Sequence, residues 1–547
     1  MVAVVLGLIA SAVFVSTVSA QDTWCGKYYK PGLPARPPGG NFPVPAVSPS
    51  PLLRFECWPS LRPYVSGLDT AGSILLSASV VNTVPGVAYS SSADGALFYV
   101  TAQLDGHTIA SNVSLSIGTN NQTPAFDWTK AAIIARRDAY NLSCTATSAK
   151  SGKVFRASST VQYLPPVPKE IGGVVQMDGS TGALVSGQGK RSPVLPFGFY
   201  TAFGGYLDKN LTVLDEIKKD GFNMVHPIPS FDNATALELV LDRMEALGLW
   251  LVYDMRWNYQ NLTAVRAQVE AVKKRKNLLA WYTTDEPDGW GDPLDAPQKA
   301  ADLINELDGY RPVALVLNCA DYHFNEYTAH SQIILQDAYP IGINATWSTV
   351  WHTPCTPEVG DCGCDNCEGK LEDISVRTDT FRERLVWGGR GRETAVWGVP
   401  QAFGPESYWP RRPSAQEIVL QSLLAINHGS LGIMPWDDHP EDPTMRPSIS
   451  PLAKAFPGIT PYVLGGKTVV GRPGVSGAQR IDATTWTNGG KTLLIVLNLN
   501  SIVIQASINV AYRAPNILFQ NGAVISQGSD GKTQVKLQPL SSVVVVL

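Results

Sequence analysis

Short apolar strands alternate with amphipathic helices between about residues 190 and 460, and this pattern constrains the fold more than any other feature. The helical segment ATALELVLDRMEALG repeats apolar residues at helical spacing and ends at Gly248. Eight β/α units within about 270 residues predict a closed parallel barrel. The eight predicted strands are VLPFGFY (194–200), NMVHPIP (223–229), LWLVYDMRW (249–257), LLAWYTTDEP (278–287), PVALVLN (312–318), IILQDAYP (333–340), TAVWGVPQAF (394–403) and LGIMPWDD (431–438).

The segments on both sides of the predicted barrel have a different periodicity. Residues 21–60 are Pro-rich and predict an irregular lead-in, whereas residues 61–168 alternate in period two and predict a β-sandwich. Period two returns over residues 466–547, where NGG and DGK turns separate the segments and predict a C-terminal β-sandwich module. We therefore expect an α/β fold: a TIM (β/α)8 barrel at 190–465 with an all-β domain on each side.

The N-terminal residues predict secretion into the extracellular space, and this prediction includes association with a cell wall as one option. Residues 1–20 are apolar and end in Val18-Ser19-Ala20, a pattern typical of a signal peptide; a membrane anchor is the alternative. Seven N-x-[ST] sequons agree with an extracellular glycoprotein. With 43 basic and 47 acidic residues, the chain has no basic excess for nucleic acid, and we expect no membrane partner. The sequons lie at Asn112, Asn121, Asn141, Asn210, Asn233, Asn261 and Asn344.

The eight cysteines form an early and a late group. The late cluster CTPEVGDCGCDNC has spacings that zinc sites also use, but secretion favours disulfides. Both groups are odd in number, so either one bridge joins them or thiols remain free. No Gly-rich phosphate loop follows a strand and H-E-x-x-H is absent, so we expect no metal and no cofactor.

Polar and aromatic residues follow the apolar strands where an active site would lie. The carboxyl ends of barrel strands form one rim, so these side chains should converge. Carboxylates and amides bind sugar hydroxyls, and aromatic rings stack on apolar sugar faces, so the rim predicts a carbohydrate partner. The predicted binding residues are His226, Asp254, Arg256, Trp257, Tyr339, Gln401, Trp436 and Asp437.

The strand-four segment AWYTTDEPDG carries the sharpest motif. It resembles the W-x-x-x-N-E-P motif of clan A TIM-barrel glycoside hydrolases, over a region of roughly residues 190–460. The resemblance implies that Glu286 is the general acid/base, while Asp285 stands where the family has Asn. The like charge of Asp285, together with burial near Trp281 or Tyr282, would raise one of the two pKa values, as a glycosidase acid requires.

The second catalytic carboxylate is less well defined. The family resemblance implies a nucleophilic Glu at the end of strand seven, where this chain has Gln401. An amide cannot replace a carboxylate nucleophile. The other candidates are Asp337 after strand six and Asp437 or Asp438 after strand eight. We favour Asp337, with Glu286 and Asp285 completing the predicted catalytic set, although Asp337 could equally cap its own turn before Pro340.

Three functions are compatible with these residues. The first is a secreted glycoside hydrolase that cleaves O-glycosidic bonds by carboxylic acid/base catalysis. The second is a substrate-assisted acetamido-sugar hydrolase, since adjacent Asp285 and Glu286 resemble that group and no strand-seven carboxylate is then needed. The third is a non-hydrolytic carbohydrate-binding or structural wall protein on a degenerate barrel, which Gln401 favours.

Overall fold

The computed structural model describes residues 22–186, 191–465 and 468–547. The predicted signal peptide lies outside these ranges. Within them, no helix has the length and apolar character needed to cross a membrane.

Parallel strands form the centre of the molecule. Seven strands pair in sequence order, and each is parallel to the next. The eighth segment closes the ring through isolated bridges: Ile433 pairs with both Phe197 and Gly398, beside strands one and seven. The seven strands are Gly198–Ala202, Met224–Ile228, Trp250–Asp254, Leu278–Asp285, Val313–Leu317, Ile333–Gln336 and Ala395–Gly398.

The prediction of alternating strands and helices is confirmed, with shifted bounds. Strand one begins at Gly198, because the predicted residue Val194 belongs to a separate strand, Ser192–Val194. The helices bury their apolar faces against the outside of the ring, and together they form one large hydrophobic core. The helices are Thr212–Lys219, Ala234–Leu247, Leu262–Val272, Pro287–Trp290, Ala296–Leu307, Phe324–Thr328, Glu372–Trp387, Ala415–Asn427 and Met445–Val463, and Phe203–Leu207 forms a π-helical turn.

Two four-stranded antiparallel sheets precede the barrel and share one hydrophobic core. Residues Val47–Pro59 form a strand, although the Pro-rich composition predicts an irregular lead-in there, because burial alternates in period two from Leu53 to Pro59. The first sheet contains Val47–Pro59, Gly72–Thr83, Val87–Ala88 and Ala125–Phe126, and the second contains Leu97–Leu104, His107–Ser116, Tyr140–Ser148 and Val154–Val161. The helix Ser91–Asp94 connects the two sheets.

Smaller sheets join these parts to the barrel, and a seven-stranded antiparallel sheet follows it. The C-terminal sheet packs against the helices Ala415–Asn427 and Met445–Val463. Its strands are Val469–Gly471, Val475–Ser476, Ile481–Asn488, Lys491–Asn498, Ile504–Ala511, Asn516–Gln527 and Lys532–Val546. The short strands are Thr23–Trp24, Lys27–Tyr28, Leu61–Arg62, Tyr64–Val65, Tyr163–Leu164, Val175–Asp178, Leu184–Ser186 and Ser192–Val194.

All eight cysteines form disulfides, as the secretion argument predicts. Cys25–Cys319 joins the early group to the late group, which explains why each group is odd in number. Cys57–Cys144 connects the two N-terminal sheets. Cys355–Cys362 and Cys364–Cys367 close the segment that is inserted after barrel strand six, so the zinc alternative has no free thiolate.

Candidate active site

The end of barrel strand four positions two acidic side chains at the rim. Asp285 is the last residue of the strand, and Pro287 begins a short helix. Glu286 between them has φ 49° and ψ 48°, the left-handed region that a residue with a long side chain rarely adopts. Such a conformation costs about 1–3 kcal/mol and is common at functional sites. The sharp turn separates the directions of the two neighbouring carboxylates.

Glu286 and Asp337 form a carboxyl pair across the rim, between strands four and six. The side-chain amide of Asn318, after strand five, donates from Nδ2 to Glu286 Oε1 at 3.0 Å and to Asp337 Oδ1 at 3.4 Å. Asp337 is only 2% exposed, whereas Glu286 is half-buried. Asp337 therefore lies beneath Glu286, in the floor of the rim.

The carboxyl pair holds a proton near neutral pH. Burial raises the pKa of Glu286 well above its ordinary value, and the charge of Asp337 adds to the rise. Burial also raises the pKa of Asp337 to about 7, although a hydrogen bond with Glu286 opposes this. Two carboxylates in contact cannot both ionise easily, so one proton stays on the pair.

A second buried acid ties strand four to strand five below the pair. Asp288 Oδ2 accepts from the backbone N–H of Cys319 at 2.8 Å, and Asp288 Oδ1 accepts from that of Gly289 at 2.9 Å. Asp288 Oδ1 also accepts from the backbone N–H of Asn318 at 3.3 Å. Burial raises the pKa of Asp288 to about 7. These bonds position the backbone from which the Asn318 amide reaches the carboxyl pair.

The other side of strand four carries an ion-paired cluster of His226, Asp254, Arg256 and Asp285. Asp254 is fully buried, and its Oδ2 atom lies 2.7 Å from both His226 Nε2 and Arg256 Nε. Arg256 Nη1 then donates to Asp285 Oδ2 at 2.8 Å, while Tyr282 Oη donates to Asp285 Oδ1 at 2.6 Å. One guanidinium thus joins two carboxylates from neighbouring strands.

Charge compensation gives this cluster the opposite protonation behaviour. Burial would raise the pKa of Asp254, but Arg256 and His226 outweigh burial and hold that pKa below its ordinary value. Burial lowers the pKa of His226, which favours the neutral imidazole. Burial raises the pKa of Asp285, and the Arg256 charge opposes that rise. Arg256 therefore keeps the Asp254 carboxylate ionised, whereas the carboxyl pair on the other side of strand four retains a proton.

An open cleft of about 670 Å³ lies over the junction of the two groups. Glu286 and Asp285 line it, and so do Arg256 and the aromatic residues Trp257, Tyr259 and Trp290. Trp257 is 65% exposed and Trp290 is 52% exposed, so part of each indole ring is accessible to a ligand. Asp337 does not line the cleft. Exposed tryptophans above hydrogen-bonding carboxylates are suited to a sugar ring.

Other predicted residues lie elsewhere around the rim. Gln401 is fully buried and its side-chain amide bonds to the backbone of Ile341, so it has a structural use and does not face the cleft. Trp436 and Tyr339 pack in the barrel core; the Arg256 guanidinium lies 5.1 Å from the Trp436 ring centre. Asp437 is outside the cleft, where burial raises its pKa to about 6.

Sequence reasoning missed the contribution of the N-terminal segment, residues 22–46. Trp24 Nε1 donates to Asn318 Oδ1 at 2.9 Å, and its ring packs edge-on against Trp290 with the ring centres 5.2 Å apart. No local pattern predicts this contact, because 294 residues separate Trp24 from Asn318. The only signal was the odd number of cysteines in each group, which requires a bridge such as Cys25–Cys319.

Comparisons with known proteins found distant structural neighbours only. No protein-family model and no curated protein sequence matches this chain. An α-amylase from Geobacillus thermoleovorans is 12% identical over 63% of this chain and 92% of its own, with a TM-score of 0.42. An endoxylanase from Clostridium papyrosolvens is 10% identical over 64% and 96%, with a TM-score of 0.40. A β-D-glucuronidase from Dictyoglomus thermophilum is 12% identical over 72% of this chain, with a TM-score of 0.33, and this chain covers only 62% of it. TM-scores below 0.5 assign no activity to this chain.

Proposed function

We propose that this protein is a glycoside hydrolase in which Glu286 is the general acid. One observation carries the proposal: Glu286 lines an aromatic cleft while burial and the neighbouring Asp337 raise its pKa. A glycosidase acid must be protonated near its working pH so that it can transfer a proton to the leaving-group oxygen. Glu286 combines that protonation state with access to the cleft.

We assign different roles to the other two predicted catalytic residues. Asp337 is buried beneath Glu286 and does not line the cleft, so it cannot attack a sugar carbon there. We propose that Asp337 sets the pKa of Glu286. Asp285 lines the cleft and is held by Arg256, so its negative charge is available to stabilise the positive charge that develops on the sugar ring.

The charges around the cleft support an uncharged saccharide as substrate. Asp285, Glu286 and Asp292 line the cleft, and the single basic residue in this lining is Arg256. Arg256 is already paired with both Asp254 and Asp285. A uronate or sulfate would therefore meet negative charge without a free cation to compensate it. We expect turnover of neutral glycans in preference to their carboxylated counterparts.

The decisive experiment replaces the proposed acid. Glu286→Gln removes the proton donor with little change in shape, and we expect kcat/KM on an accepted neutral glycan to fall by about 10²–10⁴-fold. Glu306→Gln, the same substitution at an exposed helix position, is the matched control and should retain wild-type turnover. Unchanged hydrolysis by the purified Glu286→Gln protein would exclude this role.

A substrate-assisted mechanism is the second candidate function. It is favoured by Asp285, which the Arg256 guanidinium holds beside the protonated Glu286, and by Gln401, which leaves strand seven without a carboxylate. In that mechanism Asp285 would orient the acetamido group of the substrate. We would then expect turnover of N-acetylhexosaminides, none of the matching hexosides, and inhibition by a thiazoline mimic of the cyclised intermediate.

A carbohydrate-binding protein without hydrolysis is the third candidate, and the same missing strand-seven carboxylate favours it. Binding on a glycan array together with no sugar release from a broad polysaccharide panel would support this function. Turnover of any member of the panel would eliminate it.

We also propose that the protein is secreted, in agreement with its four disulfides. Expression of the full chain in a eukaryotic secretory host should deliver protein that begins after Ala20 into the medium. Intact residues 1–20 on the recovered protein would contradict the signal-peptide prediction.

A further inference from the structure

The N-terminal segment is fastened to the catalytic face of the barrel at several points. Cys25 is bonded to Cys319, which directly follows Asn318 in the chain, just as Cys25 directly follows Trp24. The tryptophan–amide hydrogen bond and the disulfide are therefore neighbouring links between the N-terminal segment and the residues that follow barrel strand five. Further along, Lys27 forms an ion pair with Asp365 in the disulfide-closed insertion.

The Trp24 ring also fits closely against the short helix Pro287–Trp290, which follows strand four. A Cβ at Gly289 would lie 2.4 Å from the nearest Trp24 ring atom, so only glycine permits this approach. Trp24 is half-buried between this backbone and Trp290. The indole is thus held in one position by contacts that do not involve Asn318.

The chemistry of the indole then determines which way the Asn318 amide faces. Indole Nε1–H only donates, so its partner must be the amide oxygen of Asn318. The amide NH₂ group must consequently face the other way, where it reaches Glu286 and Asp337. Without the indole, the amide could rotate and present its oxygen to the protonated pair.

We infer that Trp24 is a positioning residue of the active site, which acts through Asn318 on the carboxyl pair. This inference rests on the proposed role of Glu286 as the acid. The N–H groups of Asn318 stabilise the ionised forms of Glu286 and Asp337, so loss of their fixed orientation raises the pKa values of the pair. The N-terminal segment, which lies outside the barrel in sequence, thereby completes the site.

The test is a double-mutant cycle of Trp24→Phe and Asn318→Ala. We expect Trp24→Phe to lower kcat by about 10-fold and to move the alkaline limb of the kcat/KM profile to higher pH. The double variant should match Asn318→Ala alone, because the two residues act through one contact. Additive effects, or an unchanged pH profile in Trp24→Phe, would overturn the inference.

Trp387→Phe is the matched control, because Trp387 packs on Phe42 of the same N-terminal segment but lies outside the cleft. It should leave the pH profile unchanged. A second readout, the pH dependence of the free energy of unfolding, requires no turnover. Trp24→Phe should lose more stability at pH 8 than at pH 4, and equal losses would contradict the inference. This measurement decides the role of Trp24 even if the wild-type protein hydrolyses no glycan or Glu286→Gln leaves hydrolysis unchanged.

Discussion

The two sides of barrel strand four hold buried acids in opposite protonation states. On one side, Asp254 is fully buried yet has a lowered pKa, because Arg256 and His226 contact it. On the other side, Asp337 is as deeply buried, and burial raises its pKa to about 7 because the hydrogen bond with Glu286 and the charge of Arg377 offset burial only in part. Burial acts in the same direction on both carboxyls, so the neighbouring charge decides the outcome.

This difference gives each side its proposed chemical use. A site that protonates a leaving group and stabilises a cation needs a neutral acid and an anion within one cleft. We propose that Glu286 and Asp285 fill these two roles from adjacent positions in the sequence, because Glu286 contacts the Asn318 amide and Asp285 contacts the Arg256 guanidinium. The predictions below test whether the two environments are as distinct as the structure indicates.

Removal of the Arg256 charge should have the largest effect on stability. Arg256→Met leaves the buried Asp254 without its cation, and we expect the free energy of unfolding at pH 7 to fall by about 3–5 kcal/mol. Urea titration followed by fluorescence measures this change. Arg266→Met, which breaks an exposed pair with Glu306, is the control and should cost less than about 1 kcal/mol. Similar losses in both variants would show that Arg256 does not compensate a buried charge.

Removal of the Asp337 charge should increase the free energy of unfolding, and this gain should grow between pH 4 and pH 8. The folded pKa of Asp337 is raised to about 7, so the stability linked to its protonation is present below its unfolded pKa and is lost as the pH rises through 7. Asp337→Asn should therefore gain on the order of 2 kcal/mol relative to wild type between pH 4 and pH 8. The exposed Asp138→Asn variant should show no such trend.

The same Asp337→Asn variant should shift the pH dependence of activity. With Glu286 as the proposed acid, activity should be lost as the pH rises through the pKa of Glu286. Without the Asp337 charge that pKa falls, and the alkaline limb of the kcat/KM profile should move down by about 1 pH unit. An alkaline limb at the wild-type position would mean that Asp337 does not set the pKa of Glu286.

The smallest expected effect is at the exposed wall of the cleft. Trp257→Ala removes an indole that is 65% exposed, and we expect KM to rise by about 2- to 10-fold while kcat and stability stay near wild type. Trp347→Ala, at an exposed tryptophan outside the cleft, is the control. A large fall in kcat for Trp257→Ala would indicate a role in positioning rather than in stacking.

Sequence patterns predicted the parts of the site that belong to barrel strands. Strand-end position and residue type alone pointed to Asp254, Arg256, Asp285, Glu286 and Asp337, because parallel strands deliver their carboxyl ends to one rim. The same reasoning placed Gln401 among the binding residues, whereas its amide pairs with backbone. Periodicity locates a strand end but does not show whether the side chain there faces a ligand or a neighbouring loop.

The sequence by itself determined that this chain alternates β/α units between all-β flanks and carries an Asp-Glu-Pro motif on strand four. Those features depend on local periodicity and on residues adjacent in the chain. Only the tertiary structure decided that Glu286 meets Asp337 while Asp285 meets Arg256, and that Trp24 reaches Asn318. The physical reason is that pKa values and amide orientation depend on neighbours in space, and the chain brings these neighbours from distant positions.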